Sequence, residues 1–290
     1  MMQFSDQKKG MLMAFTAVMF LTPDSLFIRL ANVSSWNLIF YRGFIPFCAV
    51  FIGLLLIYKT NFIKQTFSNG WRGAAYALIF TVTNITFVIS IENTNVANTL
   101  IMIALAPMLS AVLSLIFLKE IPDKKTWIAI AITTLSVIYI FYDAMDTGDM
   151  LGNAFGLITA SGLAAGAVII RSAKKIDLVP SAMFGKLLVA IIAFYFADNL
   201  SLKGNDFTIV PLMCLMCVAL PFVLVTIAPR YITAAEVNLF FLLETILGPL
   251  WVWLIIKEQP SIETIIGGFI IILTIAIHSA LSLKKHSFVN

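Results

Sequence analysis

Phe117-Leu118-Lys119-Glu120-Ile121-Pro122 recurs as Ile255-Ile256-Lys257-Glu258-Gln259-Pro260, and each copy closes one long apolar run and opens the next. Phe27-Ile28-Arg29 recurs as Ile169-Ile170-Arg171, and Gly10, heading the first apolar run, pairs with Gly152, heading the sixth. The same landmarks thus appear twice in the same order, about 140 residues apart. Each half holds five apolar runs. If every run crosses a bilayer, an odd number of crossings turns the second half upside down relative to the first. Two opposed halves of this kind can rock around a central site.

Composition requires lipid as the solvent. Hydrophobic residues make up 60% of the 290 positions and charged residues 12%, against about 45–50% and about 25% in soluble domains. A crossing needs about 20 mostly apolar residues. Ten such runs are predicted, over 10–31, 36–57, 72–91, 95–118, 125–142, 150–172, 180–198, 207–229, 234–256 and 262–283. The expected fold is an all-α integral membrane protein, with ten transmembrane helices as two inverted five-helix repeats, 10–142 and 150–283, around a central cavity. The first run reads as a span and not as a cleaved leader, because it is long and nine more follow.

Lys and Arg set the expected orientation. With both termini cytoplasmic, 14 of the 19 fall in inside loops, three (Arg29, Lys203, Lys257) fall outside, and Arg42 and Lys186 lie within spans. The acidic loop 143–149 then lies outside. The cysteines, Cys48, Cys214 and Cys217, all sit in apolar runs, and no zinc pattern, phosphate-cradling glycine loop or nucleophile elbow is present. No cofactor, metal, nucleic-acid partner or enzymatic activity is expected. The expected partners are a small-molecule solute and membrane lipid, with the chain a monomer or homodimer.

Ala106-Pro107 through Lys119-Glu120, and Leu243-Glu244 through Lys257-Glu258, resemble the drug/metabolite transporter superfamily in its two-domain EamA-type branch. Pro23-Asp24, Tyr41-Arg42-Gly43 and Pro229-Arg230-Tyr231 resemble a bacterial subgroup of that family. The resemblance covers nearly the whole chain. It departs at Glu244-Thr245, where the family has Glu-Pro, with a proline coming later at Pro249. It implies two inverted five-helix bundles in a bacterial inner membrane, moving amino acids, other small metabolites or drugs. The expected activity is secondary transport of amino-acid-like, zwitterionic or drug-like solutes, outward by alternating access and open to proton coupling. Alternatives are an importer or exchanger of an amino acid or organic cation, and, more remotely, a receptor or scaffold that transports nothing.

Ionisable groups at membrane depth cost about 2.5–3.5 kcal/mol each on an insertion scale, and they face cavities or partners. Asp24 and Arg42 fall at matched depth in a tight hairpin, which predicts an ion pair that fixes the hairpin, borders the cavity, or both. Glu244 lies near the middle of the ninth run with no basic residue in helical reach, which suits a proton-coupling site or a partner for a substrate ammonium. Lys186 is expected to snorkel to the cytoplasmic surface, or else to hold an anionic group. Glu236 is expected at a helix start. Asn84 is the best placed of the uncharged polar groups, which include Asn95, Asn98 and Thr99. Tyr41, Phe87, Tyr139 and Trp251 are candidates to stack on a solute. Pro107 and Pro249, in the repeat-related fourth and ninth runs, are expected hinges, with the ninth breaking at Gly248-Pro249. The small face Gly152, Gly156, Ala160 and Ala164 predicts a close helix contact.

Overall fold

The computed structural model describes residues 4–59, 61–94, 96–141, 150–257 and 262–287. Asn95, the acidic loop 143–149 and Glu258 to Pro260 lie outside the described residues. In chain order the helices are α1 (Phe4–Leu21), α2 (Asp24–Leu30), α3 (Ser35–Tyr58), α4 (Asn61–Ser68), α5 (Gly70–Asn93), α6 (Val96–Ile103), α7 (Ala106–Leu113) and α8 (Lys124–Phe141). They continue with α9 (Met150–Ser172), α10 (Val179–Phe196), α11 (Asp206–Met213), α12 (Leu220–Ile227), α13 (Ala234–Phe241), α14 (Glu244–Ile256) and α15 (Ile262–Ser287). No strand occurs among the described residues. Helices satisfy their own backbone hydrogen bonds, which lipid cannot do for them.

Among the described residues, seven segments are long and apolar enough to cross a membrane: Asp6–Leu30, Ser35–Tyr58, Gly70–Asn93, Met150–Ser172, Val179–Phe196, Asp206–Arg230 and Ala234–Ile255. Ala106–Leu118 and Ile265–His278 are shorter apolar helices. The α4 helix was not expected, since its stretch reads as a polar loop. Its Phe62 is fully buried against Leu54, Val179 and Met183.

The packing follows the size of side chains. Large apolar residues such as Leu56, Phe117 and Phe194 point outward, while small ones face neighbours. Gly152, Gly156, Ala160 and Ala164 are buried along α9. A Cβ on Gly152 would stand 2.6 Å from the Asn93 backbone of α5, so the expected small face is a helix contact. The α3–α10 contact is equally close. A Cβ on Gly43 would lie 2.6 Å from the Ala190 nitrogen and 2.9 Å from the Lys186 carbonyl oxygen. Backbone cannot yield as a side-chain tip can, so Gly43→Ala should cost about 1–3 kcal/mol by overpacking. Thermal unfolding in detergent would measure it, and an unchanged midpoint would mean the helices separate freely.

Both copies of the Lys-Glu landmark end their helices alike. Lys119 and Lys257 are C-caps in the left-handed region, with φ of 54° and 67°. Non-glycine residues hold that conformation only where their surroundings enforce it. The turn at Lys119 directs Glu120 to Arg171 at the end of α9, whose Nε donates to both carboxylate oxygens at 3.0 and 3.2 Å. Lys174 Nζ joins at 3.4 Å. Partial burial raises the Glu120 pKa, but hydrogen bonding and charge from Arg171, helped by Lys174, outweigh it and hold the carboxyl below its ordinary value. A depressed carboxylate contributes stability that is present above its unfolded value, about 4.3, and is lost as pH falls through the folded value. Glu120→Gln should therefore remove an acid-sensitive part of thermal stability. Parallel acid profiles for mutant and native protein would assign that sensitivity elsewhere.

Candidate functional site

Four of the apolar runs are interrupted among the described residues, and the interruptions meet at one place. The first breaks at Thr22-Pro23, between α1 and α2. The fourth run breaks at Ala104-Leu105, after which Pro107 sits in the first turn of α7, where its missing N–H costs nothing. The eighth carries a π-helical segment, Cys214–Ala219, between α11 and α12; such segments cluster at functional sites. The ninth breaks at Leu242-Leu243.

The break in the ninth run differs from the expected one. Pro249 lies inside α14, and the tightened turn comes seven residues earlier, with Leu242 N donating to Leu239 O and Leu243 N to Phe240 O at 3.2 and 3.0 Å. The position matches the first repeat: Leu105 to Leu243 is 138 residues, as is Lys119 to Lys257. At the register of Pro107 the second repeat has Thr245, whose hydroxyl donates to the Leu242 carbonyl at 2.7 Å. Where repeat one tolerates the break with a proline, repeat two ties off a carbonyl with a hydroxyl. The interruption thus falls at Leu242-Leu243 and not at Gly248-Pro249.

Around these breaks lies a cavity of about 120 Å³, lined by Leu21, Asp24, Arg42, Asn84, Ile103, Lys186, Cys217, Phe241 and Glu244 among others. Asp24 is the first residue of α2 and Glu244 the first of α14, so each acid sits just past a break. Arg42 Nη1 and Nη2 donate to the two Asp24 oxygens at 2.5 and 2.7 Å, a bidentate pair in which Asp24 is fully buried. The Arg42 guanidinium also lies 5.8 Å from the Phe87 ring centroid.

Lys186 does not snorkel. It is 1% exposed, its Nζ donates to Asn84 Oδ1, and it lies 5.3 and 5.8 Å from the Phe80 and Phe222 ring centroids. Asn84 Nδ2 donates to Phe80 O at 2.7 Å, which fixes its oxygen toward the lysine. The physical reason is the Gly43 contact, which presses α10 onto α3 and turns Lys186 inward. Lys186 and Arg42 are each the eighth residue of their helices, α10 and α3, and thus occupy matching places in the two halves. Among the described residues no carboxylate is within ion-pair distance of Lys186. Glu244 is 4% exposed, and its Oε1 has no hydrogen-bond partner among the described residues.

Three of the stacking candidates lie elsewhere. Tyr41 donates to the Leu200 carbonyl and packs beside Phe40, away from the cavity. Trp251 donates from Nε1 to Thr22 Oγ1 at 3.0 Å and so braces the break between α1 and α2. Tyr139 is exposed. Glu236 closes a capping box with Thr233 at the start of α13. The side chain of Asn98 lies outside the described residues. Phe80, Thr83 and Phe222 line the cavity and were not anticipated. Phe80, Thr83, Asn84 and Phe87 follow i, i+3, i+4, i+7 spacing, so the helical face through Asn84 pointed to three of its neighbours.

A crystal structure of another protein superposes on this one with a TM-score of 0.80, covering 95% of this chain and 98% of that chain at 14% identity, a likeness of fold alone. No curated protein sequence matches the chain. Its own sequence matches the EamA-like transporter family twice, over residues 8–142 and 149–280. That double match spans nearly every helix around the cavity, and the chain belongs to the EamA-like transporter family.

Proposed function

We propose that this protein is a secondary transporter in which ten helices form two inverted repeats, 10–142 and 150–283, around the cavity, with both termini cytoplasmic in a bacterial inner membrane. Its solute is a small, amino-acid-like zwitterion or weakly amphipathic metabolite, moved outward by alternating access, with Glu244 available to carry a proton. One observation supports this above the others. A buried cavity at converging helix breaks carries two cations and two anions, of which only Asp24 and Arg42 are paired. Lys186 suits a solute carboxylate and Glu244 a solute ammonium or a proton, while Asp24–Arg42 holds the wall. The breaks supply the places where half-helices tilt around the site. An alternating-access carrier runs with its gradient, so the same site serves uptake or exchange when gradients reverse.

Reconstituted protein should accumulate at least one zwitterion from a panel of radiolabelled amino acids and organic cations above protein-free liposomes. No flux of any solute would defeat the reading. For orientation, single cysteines in loop 143–149 should react with impermeant thiol reagents from outside intact cells. Labelling only from the cytoplasmic side would reverse the topology.

A further inference from the structure

A second, smaller cavity of about 50 Å³ adjoins the first. The two share Phe80, Thr83, Leu163, Val225 and Phe241, so these residues form the neck that borders both. Beyond that neck the chamber extends toward Tyr76, Ile170 and Val237, the last of these in the first turn of α13. Among the described residues no charged one lines it, and its polar lining residues are Tyr76, Thr83 and Asn238.

Following the hydrogens shows what these three can offer. The Thr83 hydroxyl donates to Ile79 O at 2.7 Å. Asn238 Nδ2 donates both its hydrogens, to Ser110 Oγ at 2.6 Å and to Ala234 O at 3.1 Å. A carbonyl only accepts, so the Ala234 contact fixes which amide atom is nitrogen. The Tyr76 and Thr226 hydroxyls are 2.9 Å apart, and Thr226 spends its one hydrogen on Phe222 O at 2.7 Å, so Tyr76 must donate to Thr226. Every side-chain hydrogen in the chamber is committed, and lone pairs are what remain: Thr83 Oγ1, Tyr76 Oη and Asn238 Oδ1. The Phe80, Tyr76 and Phe241 rings also line it, and an aromatic face attracts a cation.

We infer that this chamber is a binding subsite for a hydrogen-bond-donating cationic head, an ammonium or protonated amine, whose apolar body stays across the neck in the larger cavity. Resting on the transport reading above, it gives the passage a polarity: the amine end of the solute occupies the chamber, which leaves Glu244 the proton rather than the ammonium, and a carboxylate finds no donor there. A volume of about 50 Å³ admits an ammonium with its first carbon, whereas a site for a single water needs only about 10–15 Å³.

The test uses purified full-length protein in detergent and two probes of equal length, radiolabelled 2-phenylethylammonium and 3-phenylpropionate. The ammonium should bind at least tenfold tighter. Tyr76→Phe and Thr83→Val keep shape and remove an acceptor, so each should narrow that ratio several-fold without lowering the unfolding temperature in step. Asn238→Leu should do the same if it folds, and the other two variants decide the matter if it does not. Equal or tighter binding of the carboxylate, or an unchanged ratio in Tyr76→Phe and Thr83→Val, would overturn the subsite. No ammonium preference in the native protein, with solute flux intact, would remove this subsite alone, while absence of flux for every solute would remove the transport reading.

Discussion

Glu244→Gln should abolish gradient-driven flux in proteoliposomes while leaving the protein folded and inserted. The substitution keeps the size and hydrogen-bonding reach of the side chain and removes its titration and charge. Glu244 lines the cavity, is 4% exposed, and begins α14 directly after the break at Leu242-Leu243. Its Oε1 finds no protein partner among the described residues, so packing does not require the carboxylate. A carboxyl that is costly to bury and unused by the fold is best explained by something that visits it, a proton or a solute ammonium. Counterflow of labelled solute without a gradient separates the two roles. If Glu244 carries only the proton, exchange survives in the mutant; if it holds the ammonium, exchange is lost as well. Wild-type flux and pH dependence in Glu244→Gln would return the residue to structure and move the site to Lys186 and the Asp24–Arg42 pair.

Asp24→Ala and Arg42→Ala should each destabilise the protein by about 3–5 kcal/mol, and the double replacement should cost less than either alone. The pair is bidentate and almost wholly removed from solvent. Taking away one member leaves an uncompensated charge at membrane depth, whereas taking away both leaves an apolar gap. Arg42→Lys should also be harmful, since an ammonium cannot make two parallel bonds to a carboxylate. Unfolding midpoints in detergent for the two single variants and the double variant provide the test. Additive losses would show that Asp24 and Arg42 act independently and that their contact contributes no coupling.

Much of this arrangement is legible one residue at a time. Matched depth in a short hairpin pointed to Asp24 opposite Arg42, and their side chains lie at 2.5 and 2.7 Å. The absence of a basic residue near Glu244 in its own helix pointed to an unpaired carboxyl, and the cavity contains it. The snorkelling expected of Lys186 was misjudged because its position near the end of a run says how far it stands from the surface but not which way it faces. The ninth-run interruption was misplaced because a proline marks where a hydrogen bond is missing, while the interruption falls where the other repeat is also interrupted, at Ala104-Leu105. Tyr41 and Trp251 have the chemistry to clasp a solute, but their polar atoms are engaged by Leu200 and Thr22.

The sequence by itself determined that the chain lives in lipid, that it is built from two related halves, and which few charged groups lie at depth. Lipid imposes those requirements on each segment separately: a run must be apolar and long enough whatever its neighbours do, and each buried charge must be tolerated locally. Only the tertiary structure decided that four interruptions meet at one cavity, that Lys186 turns inward to Asn84 and two phenylalanine rings, and that Tyr76, Thr83 and Asn238 spend all their hydrogens on protein acceptors. Those facts depend on which helix faces approach one another. That is set by close contacts such as Gly43 against the Lys186 and Ala190 backbone, and no single run carries that information.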